Sequence, residues 1–252
     1  ITCAFRIVMG DQGGVENSKA SCGELPSETL KDKDPFYAKA AEYWETIPAT
    51  LDGMLGGFGH LSHIDTQGSE KFMKQVFSKV SGLKKDYACD CGAGIGRVTK
   101  NLLQRYFARV DLVEQNPAFL QEADNYLKSS SKVGKYINVG LQDFQPEKEK
   151  YDLIWCQWVI GHLTDEDLIA FLLRCREGLK PKGVLVLKEN IASGDKIDVD
   201  ETDSSVTRPL NILMDVFKKA NLKIIKEQKQ DKFPKELFEV KMFALVPEER
   251  SK

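Results

Sequence analysis

The stretch Asp90-Cys91-Gly92-Ala93-Gly94-Ile95-Gly96-Arg97 decides the fold of this chain. It closes an apolar run, makes a turn in which glycine alternates with other residues, and leads into a helical pattern. A residue without a Cβ atom reaches unusual backbone angles and lets a ligand lie against the main chain. A strand, a glycine turn and a helix in this order are how a Rossmann-like sheet builds a nucleotide site.

The spacing of the glycines bears on which nucleotide the turn would hold. Arg97 stands where a dinucleotide fingerprint needs its last glycine, which favours S-adenosylmethionine over NAD. Glu114 follows a second apolar run, roughly twenty residues further on, where a carboxylate at a strand tip can accept both ribose hydroxyls. The glycines taken alone fit either a nucleotide site or a tight turn that binds no ligand. With Glu114 in place, we predict a nucleotide site.

Composition limits the classes to which the chain can belong. It has 252 residues, 42% of them hydrophobic, which suits one substantial core. The net charge is -2 and the basic residues are spread out, so we expect no direct nucleic-acid partner and no membrane partner. No run approaches the roughly 18 apolar residues of a membrane span. The six cysteines lie mostly in apolar runs and are predicted to be reduced thiols without a metal, in an intracellular protein.

Apolar periodicity divides the chain into an arm, a helical extension and an alternating core. Residues 1–34 lack periodicity and are predicted to be a flexible or expression-derived arm. Residues 35–252 are predicted to form a single domain, with a helical, substrate-side extension over 35–80 and a Rossmann-like core over 86–246. Within the extension, helices are expected at 36–44 and 69–80, with a glycine-rich loop over 52–60 between them.

From residue 87 onwards, strand and helix patterns alternate, which predicts parallel βαβ units. Strands are expected at 87–91, 110–114, 136–140, 152–156, 183–188, 223–229 and 238–246, and helices at 97–107, 118–127, 166–178 and 210–220. The fold class is therefore α/β: a Rossmann-like, doubly wound, mostly parallel seven-stranded sheet with an N-terminal helical extension. Such a sheet binds ligands outside the carboxyl ends of its strands, where Gly92, Glu114, Gln142, Gln157 and Asn190 fall.

Five motifs together carry a resemblance to a known family. They are Met54-Leu55-Gly56-Gly57, the glycine turn at 90–97, Gly140-Leu141-Gln142-Asp143-Phe144, Gln157-Trp158-Val159-Ile160-Gly161-His162-Leu163-Thr164-Asp165, and Asp203-Ser204-Ser205-Val206. Over residues 36–245 the chain resembles the protein α-N-terminal methyltransferases, a family of class I S-adenosylmethionine-dependent enzymes. The resemblance implies that it methylates, one to three times, the α-amine of proteins that begin Xaa-Pro-Lys or Xaa-Pro-Arg. It also implies a location in the nucleus and cytoplasm.

The resemblance implies a cofactor site and a catalytic pair. The cofactor-binding residues would be Gly92, Gly94, Arg97, Glu114, Gln115, Asn116, Leu141, Gln142 and Gln157, with Arg97 on the cofactor carboxylate and Glu114 at the ribose. The family usually has aspartate in place of Glu114, a change that keeps the acceptor and lengthens the side chain. His162 and Asp203 would be catalytic, because an α-amine with a pKa of about 8 must lose a proton before it attacks. Which of the two is the base stays open.

The same resemblance places a peptide beside the catalytic pair. The substrate-binding residues would be Tyr43, Trp44, Leu55, Gly56, Trp158, Asn190, Asp200, Ser205 and Phe238. The segment 195–203 holds five acids and one lysine, which suits a basic third residue of the substrate, although a solvated charged face is the alternative. Phe238 stands where the family commonly has tyrosine, so this wall lacks a hydroxyl.

Three other functions stay open at this stage. A small-amine methyltransferase fits the cofactor half but not the acidic segment. A nucleic-acid N-methyltransferase is disfavoured because the fourth strand leads into Gln157-Trp158-Val159-Ile160 rather than an Asp/Asn-Pro-Pro-aromatic element. A pseudoenzyme would bind cofactor and peptide without turnover.

Overall fold

A seven-stranded sheet forms the centre of the protein in the computed structural model, which describes residues 33–248. The strands of this sheet are β1 (Tyr87–Cys91), β2 (Arg109–Glu114), β3 (Val133–Asn138), β4 (Tyr151–Gln157), β5 (Leu179–Ile191), β8 (Leu222–Lys229) and β9 (Glu239–Pro247). Two short strands, β6 (Asp198–Asp200) and β7 (Ser205–Thr207), pair as a separate hairpin. The order across the large sheet is β3-β2-β1-β4-β5-β9-β8. The predicted fold class is confirmed.

Strand direction explains where this sheet can bind a ligand. Strands β3, β2, β1, β4 and β5 are parallel, and β9 runs antiparallel to both β5 and β8. The chain moves outwards from β1 to β3 and then returns to β4 on the other side of β1. The connections after β1 and β4 therefore diverge, and a crevice opens between them at the carboxyl ends of the strands.

Helices cover both faces of the sheet. Within residues 33–248 they are α1 (Lys33–Thr46), α2 (Leu51–Met54), α3 (Ser62–Lys79), α4 (Arg97–Asn101), α5 (Pro117–Leu127), α6 (Asp165–Gly178) and α7 (Leu210–Lys219). On one face α6 and α7 bury Phe171 and Phe217 against β4, β5 and β9. On the other face α3 buries Phe72, Met73 and Val76. The central parallel strands β1 and β4 are thus buried on both faces, as is typical of parallel sheets, whereas β3 at the sheet edge is partly exposed.

Three local predictions were wrong. The helix expected from residue 69 begins at Ser62, because a 3₁₀ turn over Gly59–Leu61 leads directly into α3. The glycine-rich loop holds a short helix, α2, whose first turn is capped when Thr50 Oγ1 accepts the Gly53 N–H at 3.0 Å. The helix expected to reach residue 107 ends at Asn101 and is followed by a separate 3₁₀ turn.

Part of the chain lies outside this description. The predicted arm over residues 1–34 falls, up to residue 32, outside the described residues, as do residues 249–252. Between residues 33 and 248, no helix is long and apolar enough to cross a membrane. In the same span no group of three or more His, Cys, Asp or Glu side chains could hold a metal ion. The four cysteines described there are buried and free.

Replacing Gly96 with alanine is expected to lower the free energy of unfolding more than the same change at Gly82. Both residues have a positive φ, 78° and 85°, so each variant carries a left-handed backbone cost of about 1–2 kcal/mol. A Cβ atom at Gly96 would also lie 2.7 Å from Leu127 Cδ1, whereas no described atom lies within 4 Å of one at Gly82. Overpacking adds roughly 1–3 kcal/mol. Urea unfolding measures the difference, and equal losses would contradict it.

Candidate active site

The glycine turn after β1 is hydrogen-bonded to the neighbouring strand β2. Gly92, Gly94 and Gly96 all have positive φ, at 70°, 52° and 78°. The backbone N–H groups of Gly92 and Ala93 donate to the carbonyl oxygen of Val113 on β2, at 2.9 and 3.0 Å. These bonds fix the turn against the neighbouring strand, so its remaining surface faces the crevice.

Asp90, the residue before the last of β1, connects β1 to α4. Its Oδ2 accepts the backbone N–H of Thr99 at 3.0 Å and the hydroxyl of Thr99 at 2.7 Å. Burial raises the pKa of Asp90 to about 6, although the bonds from Thr99 and the nearby charge of Arg97 oppose this. The carboxyl group is therefore committed to Thr99 and organises the backbone of the glycine turn.

A pocket opens above the carboxyl ends of β1, β2 and β4. Eight of the nine predicted cofactor residues line it, namely Gly92, Gly94, Arg97, Glu114, Gln115, Leu141, Gln142 and Gln157. The ninth, Asn116, caps α5 and accepts the Ala118 N–H at 2.9 Å. Trp44, Trp158 and His162, predicted for peptide binding and catalysis, line the same pocket.

The side chain of Glu114 is longer than the aspartate that is usual at this position in the family that the sequence resembles. Its Oε2 accepts the Gly94 N–H at 3.0 Å, and its Oε1 accepts the Asn116 N–H at 2.9 Å. Burial raises its pKa, and these backbone bonds oppose the shift. Each carboxylate oxygen has a second lone pair, so the group can still accept hydroxyl donors from a ligand.

Arg97 is the cation of the pocket. Its Nη1 donates to Asp65 Oδ2 at 2.6 Å, and its guanidinium carbon lies 5.6 Å from the ring centre of Trp158. The remaining N–H groups of Arg97 make no hydrogen bond to a described residue. Because Arg97 also lines the pocket, these donors are open to an anionic ligand.

His162 sits on a 3₁₀ turn after β4, between Trp44 and the β6–β7 hairpin. The indole Nε1–H of Trp44 donates to His162 Nε2 at 3.0 Å, so Nε2 carries the lone pair and Nδ1 carries the proton. Nδ1 then faces the carbonyl oxygen of Ser204 at 3.4 Å. Burial lowers the pKa of His162, while the charges of Asp203 and Asp200 oppose this.

Asp203 and its neighbours lie where the hairpin turns back. Asp203 and Ser205 are buried, and the Ser205 hydroxyl donates to Asp203 Oδ1 at 2.5 Å. Ser204, between them, has a φ of 52°. Asp200 Oδ1 accepts the Thr202 N–H at 2.8 Å. The acidic segment, for which a solvated charged face was the alternative, contains β6 and pairs with β7 as a hairpin.

Trp158 adopts an uncommon backbone conformation, with a φ of 53°. Left-handed backbone is rare for a bulky residue and is typical of functional sites. The Trp158 side chain packs in a cluster with Leu55, which is fully buried, and with Val240 of β9. Leu55, predicted to bind the substrate, therefore packs in the apolar cluster that contains Trp158.

The other predicted peptide residues surround this cluster. Tyr43 is partly buried and packs edge-on against Trp44, with ring centres 5.6 Å apart. Gly56 has a φ of 57° in the turn after α2. Asn190 near the end of β5 and Phe238 just before β9 are buried. None of these four residues lines the pocket that holds Arg97.

Sequence reasoning missed three charged residues that hold the site together. Asp65 binds Arg97 and accepts two bonds from Gln157 Nε2, at 2.9 and 3.0 Å. Arg174 of α6 donates to the carbonyl oxygens of Leu141 and Gln142, both at 2.9 Å.

Arg208, the third missed residue, holds the turn that carries His162. It donates to the carbonyl oxygens of Ile160 and Leu163, at 3.0 and 2.6 Å. A charged residue at a core-facing helix position would have been a signal for Asp65 and Arg174, but the predicted start of α3 excluded Asp65. No local motif marks Arg208.

A family model described as AdoMet dependent proline di-methyltransferase matches residues 32–246. The chain belongs to this family. Among its relatives, "N-terminal Xaa-Pro-Lys N-methyltransferase 1" of Danio rerio is 49% identical over 86% of this chain and 97% of the relative. "Alpha N-terminal protein methyltransferase 1" of Drosophila melanogaster is 51% identical over 84% of this chain and 76% of the relative.

Solved structures of methyltransferases are also similar to this chain. A S-adenosylmethionine-dependent methyltransferase from Leishmania major is 40% identical, with a TM-score of 0.79 over 83% of this chain and 82% of that one. A phosphoethanolamine N-methyltransferase from Haemonchus contortus is 15% identical, with a TM-score of 0.65 over 87% of this chain and 50% of that one. The second likeness shows the fold alone.

The pocket residues fit the cofactor of this family, S-adenosylmethionine. Arg97 offers open donors for its carboxylate, and Glu114 offers acceptor lone pairs for its ribose hydroxyls. Phe119, Val139 and Leu141 add apolar side chains to the lining of the same pocket. A Cβ atom at Gly92 would lie 2.5 Å from Val159, so only glycine fits this part of the turn.

Replacing Trp44 with phenylalanine is expected to raise the pKa of His162. The indole N–H stabilises the neutral ring by donating to Nε2, and phenylalanine removes this donor while keeping an aromatic ring. NMR titration can follow the ring, because the chain has only three histidines and a His162→Asn variant identifies its signal.

Tyr43→Phe is the control for this titration, since it changes the neighbouring ring and leaves the indole in place. The parent protein should titrate below the ordinary histidine pKa of 6.5. An unchanged or lower pKa in Trp44→Phe would show that the indole does not set the state of His162.

Proposed function

We propose that this protein transfers methyl groups from S-adenosylmethionine to the α-amine of protein N-termini that begin Xaa-Pro-Lys or Xaa-Pro-Arg. The observation that carries the proposal is the meeting of the cofactor pocket and the acidic hairpin at His162. That residue lines the pocket, and it faces Ser204 of the hairpin. The name of the Danio rerio relative points to Xaa-Pro-Lys N-termini, and that of the Drosophila melanogaster relative points to protein α-N-termini.

The hydrogen bonds of His162 and Asp203 indicate a different role for each residue. The bound cofactor supplies a methyl group on a sulfonium, and the attacking amine needs a free lone pair. Trp44 occupies the Nε2 lone pair of His162, so this ring does not accept a proton unless the indole moves. Asp203 therefore takes the proton of the incoming ammonium. The His162 ring, held by Trp44 and Ser204, forms part of the pocket lining where the amine is methylated.

The acidic hairpin explains the preference for a basic third residue. Asp195, Asp198, Asp200 and Glu201 lie within or beside β6, and Asp200 is partly buried. Carboxylates held in one hairpin attract a lysine or arginine more strongly than a neutral side chain. A small amine would not use this surface, which disfavours the small-amine alternative.

The helical extension over residues 35–80 forms the substrate side of a single methyltransferase domain in this proposal. Two bonds support its role. The Tyr37 hydroxyl donates to Asp167 Oδ2 on α6 at 2.6 Å, and Asn116 Nδ2 donates to the Trp44 carbonyl oxygen at 3.2 Å. Helix α1 is thus attached to both the catalytic side and the cofactor side of the pocket.

A peptide assay tests the proposed function. The protein is incubated with S-adenosylmethionine and a peptide beginning Ser-Pro-Lys, with the N-acetylated form of the same peptide as control. We expect methyl mass shifts on the free peptide alone. Shifts on both peptides would place the methyl group on a side chain, and no shift on either would favour a binding module without turnover.

Asp203→Asn is expected to lower kcat for this peptide by at least about a hundredfold, because the amide cannot accept the proton. Asp200→Asn is the matched control. It should raise KM for the lysine peptide with little change in kcat, because it removes a negative charge that attracts the lysine of the substrate. Steady-state kinetics at saturating cofactor separates the two. Retained kcat in Asp203→Asn would remove this residue from the catalytic role.

For the cellular setting, we infer a location in the nucleus and cytoplasm from the family, with protein N-termini as partners and no direct contact with nucleic acid or membranes. The spread of basic residues at a net charge of -2 supports the last two points. Imaging of a C-terminally tagged protein tests the location, and exclusion from either compartment would contradict it.

A further inference from the structure

Behind the pocket, three charged side chains form a buried cluster: Asp65 of α3, Arg97 of α4 and Lys188 of β5. Their exposed fractions are 1%, 5% and 0%. Asp65 Oδ2 accepts from Arg97 at 2.6 Å, and Asp65 Oδ1 is in contact with Lys188 Nζ. One carboxylate is therefore shared by two cations. Of the three, only Arg97 lines the pocket.

Lys188 is surrounded by hydrogen-bond acceptors. Besides the Asp65 carboxylate, its Nζ donates to Ser69 Oγ at 2.9 Å, Gln230 Oε1 at 2.7 Å and the Asp65 backbone oxygen at 3.2 Å. A neutral amine has two N–H groups and a lone pair, whereas an ammonium has three N–H groups, which this shell of oxygens suits. Burial lowers the pKa of Lys188, and the Asp65 charge opposes this.

The cluster carries one positive charge in excess. Burial would raise the pKa of Asp65, but Lys188 and Arg97 lower it below its ordinary value, so the carboxylate is ionised. The charge of Arg97 also lowers the pKa of Asp90, whose carboxyl group accepts hydrogen bonds from Thr99. Because Lys188 balances Asp65, the charge of Arg97 is left for a ligand in the pocket.

We propose that Lys188 is a positioning residue for the cofactor: by balancing Asp65, it keeps Arg97 available to the carboxylate of the cofactor's methionine moiety. This inference rests on the proposed function only through the identity of the cofactor. Lys188 makes no contact with the ligand in this account. Its effect is electrostatic and passes through Asp65.

Calorimetric binding of two probes tests the inference. S-adenosylhomocysteine carries the methionine-type carboxylate, and 5′-methylthioadenosine lacks it. Lys188→Met should weaken S-adenosylhomocysteine binding on the order of tenfold, the size expected of a unit charge acting across several ångströms of protein interior. Binding of 5′-methylthioadenosine should not change. An unchanged ratio of the two affinities would overturn the inference.

A double variant separates charge from packing. Lys188→Met leaves the cluster neutral, whereas Asp65→Asn combined with Lys188→Met restores the single excess charge on Arg97. Affinity for S-adenosylhomocysteine should therefore recover towards the parent value in the double variant. If Lys188 acted only by packing, the double variant would bind no more tightly than Lys188→Met, and this result would overturn the inference.

Two further results keep the test decisive. If Lys188→Met does not fold, Lys188→Gln removes the same charge while keeping polar contact with Ser69 and Gln230, and the same loss is expected. Equal binding of both probes by the parent protein would overturn the premise that Arg97 meets a carboxylate. A parent that prefers S-adenosylhomocysteine but does not methylate the Ser-Pro-Lys peptide would disprove the proposed function and leave this inference standing.

Discussion

The contact between Asp65 and Arg97 is the interaction on which the site depends most. Asp65 belongs to α3 and Arg97 opens α4 directly after the glycine turn, so one buried ion pair joins the helical extension to the cofactor pocket. Gln157 at the end of β4 binds the same carboxylate. Breaking a buried pair of this kind leaves an uncompensated charge in the interior, which is strongly destabilising. The extension and the sheet edge therefore hold their positions together.

The side of the pocket that carries His162 is organised in the same way, by polar side chains that bind the backbone of turns. Arg208 holds the carbonyl groups on either side of His162, and Arg174 holds the turn that carries Leu141 and Gln142. Turns that face a ligand cannot bury much apolar surface of their own. Charged donors placed beneath them satisfy their carbonyl groups and fix their shape.

Most of the fold could be predicted from the sequence because parallel strands read as short apolar runs between helical patterns. The pocket residues of the glycine turn and of β2 and β4 were predictable for the same reason, since they follow strand ends. Asp65 was missed, because the helix that carries it was predicted to begin at residue 69 and because its contacts are with residues 32 and 123 positions away. The β6–β7 hairpin was also missed, since its acidic composition is typical of a solvated loop and the pairing depends on only three residues in each strand.

A crystal structure with S-adenosylhomocysteine and a Ser-Pro-Lys peptide would test the central claim, that the helical extension and the sheet edge form one site for both ligands. We expect the cofactor carboxylate on Arg97, the peptide nitrogen beside Asp203 and in line with the sulfur, and the peptide lysine against the acidic hairpin. A peptide bound away from His162 and Asp203, or a cofactor whose carboxylate turns away from Arg97, would contradict it.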